Sequence, residues 1–319
     1  MTLLLMLAAF ASEKMVYAAG YIPNIQFAPF YVAQARGYYG DEGIELVMDY
    51  TIGPDVFKLV ALNKAQIGSA DADALLQATA REMPLVNVAT LYQTYPIAII
   101  ARSQIQTPAD LRGKTVGISG RFGSSYLGLK AILRERGMDL ADIELRTIGF
   151  QQVSAMKQGQ VDAVVGYVNN EPIRLKALGI DTVLIRPGIN SHIPGVGLMT
   201  GTRFLNEKPG LVHGFLKATF RGMHDVLQDP ETCYRLVVEE YLPQLKDKDR
   251  YQVEYRILEA TLPFWHSQYV TEHGYGQCQP EFWEQLALQM AKEQADGGLQ
   301  NWQAHIDRGF TWKPDTKDP

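Results

Sequence analysis

Cysteine is nearly missing from this chain: Cys233 and Cys278 are the two among 319 residues. Two thiols cannot build a disulfide framework or a four-thiolate zinc site. One bridge between them is conceivable, but two unpaired buried thiols are the plainer expectation. Histidine is also scarce, at six. His213 and His224 share a helical segment without the i, i+4 spacing that chelates a metal. Surplus positive charge is absent, with 30 Lys and Arg against 35 Asp and Glu and a net charge of −5. A mildly acidic chain with no basic run is a poor polyanion binder, which excludes nucleic acid as the expected partner. No G-x-S-x-G, Walker loop, H-E-x-x-H or glycine-rich dinucleotide turn occurs, so no common enzyme signature is present.

What is present is an ordinary globular composition, 46% hydrophobic and 20% charged, at a length that suggests two domains of about 150 residues each. Residues 1–14 read as a leader or signal remnant. Leu3 to Ala9 form a short apolar run, too short to span a bilayer, with Ala9-Phe10-Ala11 as a candidate cleavage triplet. Phe10 stands where a lipoprotein signal of the form Leu-Ala-Ala-Cys carries its acylated cysteine, and phenylalanine cannot be acylated. The expectation is export to the periplasm or the outer face of the membrane, with lipidation of the native form left open.

Beyond the leader, strands and helices alternate. Strands are expected at Met15–Ala19, Glu45–Tyr50, Gln66–Ser69 and Leu85–Leu91, with helices at Ala28–Arg36, Asp55–Asn63 and Asp73–Arg81 between them. Gly37 suits a left-handed cap on the first helix. A second unit carries strands at Thr115–Ser119, Glu144–Ile148, Val161–Tyr167 and Thr182–Ile185. Its helices are expected at Ser124–Arg136, Val153–Gln158 and Glu171–Leu178. From Lys208 to about Arg308 the pattern is almost wholly helical. Such alternation predicts mainly parallel α/β sheets. The first unit is interrupted by the second, giving lobe 1 as 15–97 and 200–319, and lobe 2 as 98–199. The extended crossings Tyr95–Ala101 and Gly195–Gly201 are then the two-segment hinge. A ligand is expected in the cleft beyond the carboxyl ends of the strands, under closing lobes.

The strand-end loops supply the candidate binding residues. Tyr21, Asn24, Gln26 and Phe27 follow the first strand, rings and amides suited to a planar heteroaromatic ligand. Arg121, Ser124 and Ser125 open a helix, where free N–H groups suit an anion or several oxygens; simple capping explains the serines equally. Asp71, with Ser69 and Asp73 beside it, ends the third strand. Tyr92 and Tyr95 follow the fourth. Tyr167, Asn169, Asn170 and Glu171 end a strand of the second unit, and Glu171 before Pro172 also suits a helix start. Trp265 and His266 are weaker candidates. Neither a metal nor a catalytic residue is expected.

The stretch Gly20-Tyr21-Ile22-Pro23-Asn24, followed by Tyr31-Val32-Ala33 and by Gly37-Tyr38-Tyr39-Gly40-Asp41-Glu42-Gly43-Ile44, resembles the opening of ABC-importer substrate-binding proteins of the thiamine-pyrimidine synthesis and uptake family. Leu111-Arg112-Gly113-Lys114, Gly123-Ser124-Ser125-Tyr126, Gly159-Gln160-Val161-Asp162-Ala163 and Glu171-Pro172 extend the likeness along nearly the whole chain. The resemblance implies a two-lobed, type II periplasmic-binding-protein fold. It also implies a monomer that passes a small ligand to a permease and its ATPase and carries no cofactor. Tyr21 and Phe27 stand where pyrimidine-handling relatives usually carry Trp and His, and the family enzymes' cysteine-rich motif is missing. Tyr21 to Ala33 is most similar to riboflavin-binding components, so riboflavin is the expected ligand, stacked by Tyr21, Tyr92, Tyr95 or Tyr167. Asn24, Gln26 and Asn169 would then meet the ring edge, and Asp71, Arg121, Ser124 and Ser125 the ribityl chain. The alternatives are a binding protein for a thiamine pyrimidine precursor, with Glu171 at its amino edge, and a pyridoxal-phosphate-dependent pyrimidine synthase using Lys58 or Lys64.

Overall fold

A computed structural model describes residues 12–52, 55–121, 123–187, 193–293 and 301–314. Most of the expected leader, including Phe10, lies outside the described residues. Its last two residues, Glu13 and Lys14, already belong to the first strand, where Glu13 pairs with Lys208 at 3.1 Å.

The strands are β1 (Glu13–Gly20), β2 (Ile44–Ile52), β3 (Ile67–Asp71), β4 (Leu85–Thr90), β5 (Ile97–Arg102), β6 (Thr115–Ile118), β7 (Glu144–Thr147), β8 (Ala163–Tyr167), β9 (Thr182–Ile185) and β10 (Val196–Gly201). Those ten form two sheets of five, ordered β2-β1-β3-β10-β4 and β7-β6-β8-β5-β9. In the first sheet β10 runs antiparallel to both neighbours, and in the second β5 does the same. Each sheet is therefore mixed and mainly parallel. Helices cover both faces, which is why β4, Leu85-Val86-Asn87-Val88-Ala89-Thr90, is buried along its whole length and shows no alternation.

The first lobe carries α1 (Ala28–Ala35), α2 (Tyr38–Asp41), α3 (Asp55–Ala61) and α4 (Ala72–Thr79). The second carries α5 (Gly123–Arg134), α6 (Gln152–Lys157) and α7 (Glu171–Ala177). The chain then adds α8 (Thr202–Glu207), α9 (Pro209–Gln228), α10 (Pro230–Glu240), α11 (Lys248–Trp265), α12 (Gln268–His273) and α13 (Pro280–Glu293). On one face of the first sheet, Tyr17, Phe30, Phe215 and Phe220 share a core; on the other, Val56, Val60, Leu75 and Met199 form a second. Helices α1 and α9 touch backbone to backbone at Gly222, where an added Cβ would lie 2.2 Å from the Pro29 carbonyl oxygen. Gly37 has φ +74°, the left-handed conformation its place after α1 requires.

Three sequence expectations are corrected. The stretches expected as the hinge, β5 and β10, are interior strands of the two sheets. Ile97 therefore belongs to the second sheet, and the segment from Val196 to the first. The chain crosses between sheets at Leu91–Pro96 and again before Val196. There Leu91 and Tyr92 both donate to the Val196 carbonyl at 2.9 Å, and Gly195 donates to Tyr92 at 3.0 Å. The C-terminal part is not wholly helical either: Gly276 bridges to Thr90, and Tyr275 bridges to Trp312. Both cysteines are buried and free. Among the described residues, no helix is long and apolar enough to cross a membrane.

Candidate ligand-binding cleft

Between the lobes lies a cavity of about 460 Å³, within the range of roughly 300–1,000 Å³ that takes drug-sized ligands. Most of its polar groups follow the carboxyl ends of β1, β3, β4, β6 and β8, as an open, mainly parallel sheet dictates.

After β1 the chain turns at Gly20, and Asn24 accepts from the Gln26 backbone N–H at 3.0 Å, capping a single helical turn. This turn presents Tyr21, Asn24, Gln26 and Phe27 to the cavity together. Tyr21 meets Phe150 of the second lobe edge to face, with ring centroids 5.5 Å apart. Gln26 is engaged at both ends, donating to the Tyr92 hydroxyl and accepting from Asn170 Nδ2, each at 3.1 Å. Asn170 in turn accepts from Arg174 Nε at 2.7 Å, and Arg174 donates to Glu254 Oε2 at 3.0 Å. Because Asn170 and Arg174 belong to the second lobe and Gln26 and Glu254 to the first, this chain of polar groups spans the cleft. It fixes Gln26 as a brace between the lobes.

Carboxylates dominate the opposite side. The Tyr167 hydroxyl donates to Asp71 Oδ1 at 2.7 Å. The Tyr95 hydroxyl donates to Asp73 Oδ2 at 2.6 Å, and the Ser124 hydroxyl to Asp73 Oδ1. Burial, and then the neighbouring Asp73, push the Asp71 carboxyl up to about 6. Burial likewise raises Asp73, against the hydrogen bonds from Ser124 and Tyr95. Glu171 is raised by burial while it accepts the Tyr167 backbone N–H at 2.7 Å. The Tyr92 phenol, desolvated and only partly compensated by Asn169 and Gln26, is pushed up to about 12.

Ten of the thirteen residues singled out from the sequence line the cavity: Tyr21, Asn24, Gln26, Phe27, Asp71, Tyr92, Ser124, Ser125, Tyr167 and Glu171. Three do not line it. Arg121 is exposed, on the solvent side of its loop. Tyr95 points behind the cavity to hold Asp73 and the Ser124 carbonyl. Asn169 is buried and turned toward Thr261, to which it donates at 2.9 Å, while its neighbour Asn170 faces the cavity. Trp265 lines the cavity from a fully buried position, whereas His266 is exposed. Of the two lysines, Lys58 lines the outer rim with its side chain 71% exposed and paired to Asp55, and Lys64 is exposed and outside the cavity.

Sequence reasoning missed Tyr17, Phe150, Gln77 and Arg81, all of which line the cavity. Phe150 sits in the loop after β7, where the strand-end rule would have found it. Ala74, Gln77, Ala78 and Arg81 share one side at helical spacing from the start of α4, a periodicity that was available. Tyr17 lies within β1, stacked on Phe30 at 4.4 Å, where no loop signal points to it.

The family described as NMT1/THI5 like matches residues 24–233. The riboflavin-binding protein RibY of Chloroflexus aurantiacus is 34% identical over 276 residues, covering 85% of this chain and 78% of that one. A 4-amino-5-hydroxymethyl-2-methylpyrimidine phosphate synthase of Legionella pneumophila is 30% identical over 251 residues, 76% of either chain. Among solved structures, the periplasmic aliphatic sulphonate-binding protein SsuA of Escherichia coli superposes with a TM-score of 0.69 at 15% identity, covering 96% of both chains. The two lobes, the mixed sheets and the double crossing make this a type II periplasmic-binding-protein fold, and the chain belongs to the NMT1/THI5-like family.

Proposed function

We propose that the protein is the substrate-binding component of an ABC importer, exported from the cytoplasm, which closes over riboflavin and delivers it to a membrane permease and its ATPase. The single observation that carries this reading is the interlobe cavity. It sets the rings of Tyr21, Phe27, Tyr92 and Tyr167 around a space that also holds amides and carboxylates. Flat isoalloxazine suits stacking on those rings, and ribityl hydroxyls donate well to carboxylates such as Asp71. The likeness to RibY supports the same ligand. In this role the protein works as a monomer without a cofactor.

A thiamine pyrimidine precursor is the second reading, favoured by one observation: the buried Glu171 carboxylate lies on the cavity wall, where it could accept from an amino edge. A pyridoxal-phosphate enzyme fits the residues poorly. A Schiff-base lysine is activated by desolvation, and neither Lys58 nor Lys64 is desolvated.

Titration of the purified protein with riboflavin, followed by flavin fluorescence, tests the proposal. Saturable quenching at submicromolar concentration supports it. Absent quenching together with saturable binding of an aminopyrimidine would move the assignment to the second reading.

A further inference from the structure

The charges buried in the cleft are of one sign. Glu171, buried, and Asp71, half-buried, lie on the cavity wall, and the buried Asp73 stands directly behind it, held by Tyr95 and Ser124. Among the described residues that line the cavity, the cations are Lys58 and Arg81, both exposed at its outer rim. Arg174 of the second lobe is paired with Glu254. The start of α5 is where an anionic ligand would ordinarily be held, on free N–H groups and the serine hydroxyls. Here the Ser124 hydroxyl is already given to Asp73 of the other lobe, and Tyr95 bonds both Asp73 and the Ser124 carbonyl, so an acidic group stands beside the helix start while Ser125 faces the cavity. Arg121, which could have balanced a second negative charge, faces solvent.

From this juxtaposition we infer that the cleft selects a neutral alcohol over its phosphate ester, with Asp71 on the cavity wall as the specificity-determining residue and Asp73, behind that wall, adding to the repulsion. For the identity of the alcohol, the inference rests on the riboflavin reading. A ligand hydroxyl can donate to the Asp71 carboxylate, whereas a phosphate offers acceptor oxygens and about two negative charges. Setting that charge beside the half-buried Asp71 and in front of the buried Asp73 is unfavourable where solvent screens poorly. The protein would thus take up free riboflavin and leave flavin mononucleotide, and an enzyme that removes the phosphate would have to act before capture.

The test titrates wild type, Asp73→Asn and Asp71→Asn with riboflavin and with flavin mononucleotide, and in parallel with a hydroxymethyl-aminopyrimidine and its phosphate ester. Circular dichroism and thermal midpoints identify which variants are folded. Wild type should bind flavin mononucleotide at least about tenfold more weakly than riboflavin, and a folded asparagine variant should narrow that ratio by about threefold or more. Equal affinity of wild type for the two flavins overturns the inference. So does an unchanged ratio in the folded variants, or a selective loss of the phosphate ester in Arg81→Ala, which would place the phosphate at the outer rim. If wild type ignores both flavins yet prefers the pyrimidine alcohol to its phosphate, the riboflavin reading fails and the selectivity stands. Preference for the pyrimidine phosphate, or binding of none of the four, overturns both.

Discussion

Tyr167 and Asp71 lie 96 positions apart in the chain and on different lobes, yet the phenol donates to the carboxylate at 2.7 Å. The bond crosses the cleft beside the cavity and joins one lobe to the other. With Asp73 and Ser124 it makes one side of a clasp. Arg174 and Glu254, with Asn170 and Gln26, make the other. Under the proposed reading, a ligand held between them would be enclosed by bonds that join one lobe to the other.

Tyr167→Phe keeps the ring and removes the bond. A hydrogen bond to a charged group is worth about 1.5–3 kcal/mol, so ligand affinity should fall roughly tenfold or more if closure depends on it. Small-angle scattering with saturating ligand should show a more open average form. An unchanged scattering profile and affinity would mean that Tyr167 acts only as a wall.

The acidity of Asp71 predicts a pH dependence of definite sign. Its carboxyl is pushed up to about 6, above an unfolded value of about 3.9. The folded protein therefore holds this proton more tightly than the unfolded chain does. The resulting stabilisation is complete below about pH 4 and is lost as pH rises through about 6. Wild type should lose thermal stability over that window relative to Asp71→Asn, whose amide does not titrate. Parallel melting profiles for the two proteins would show that this carboxyl is not raised.

The contrast between Asn169 and Asn170 marks the limit of what the sequence discloses. Strand-end loops were legible because helix-covered strands are apolar runs closed by Gly, Asn, Asp and Ser, and the rule that ligands sit beyond those ends needs no tertiary detail. Which of two adjacent amides faces the cavity is decided by Thr261, 92 positions away from Asn169. Arg121 was misplaced for the same reason. Its loop was identified, but the group that engages Ser124 at the start of α5 is Asp73, brought there by the packing of one lobe on the other. The crossings were misassigned because β5 and β10 are extended and apolar whether they bridge sheets or lie inside them.

Glu254→Gln tests the second side of the clasp. Glu254 is 7% exposed and Arg174 29%, so removing the charge leaves a partly desolvated guanidinium without its partner. Complete burial would make this cost 3–5 kcal/mol, and partial exposure reduces it to about 1–2 kcal/mol. The loss should be read by denaturant unfolding. The double variant with Arg174→Met should recover part of it, a result expected only if the two groups interact.

Gly195 tests the crossing itself. An added Cβ would lie 2.5 Å from the Thr94 carbonyl oxygen and 2.9 Å from Tyr92 Cβ. These neighbours are backbone and near-backbone atoms that cannot rotate away, so Gly195→Ala must push the two crossing segments apart. Overpacking of this kind typically costs about 1–3 kcal/mol. The strain falls on the bonds from Leu91, Tyr92 and Gly195 that hold the segments side by side. The variant should therefore show faster amide exchange at Tyr92 and Gly195 than in the core of β4, where no contact changes. It should also bind ligand more weakly, because Tyr92 is both a crossing residue and a wall of the cavity. Equal protection at Tyr92 in variant and wild type would mean that the crossing yields without cost and that the cavity wall is set from elsewhere.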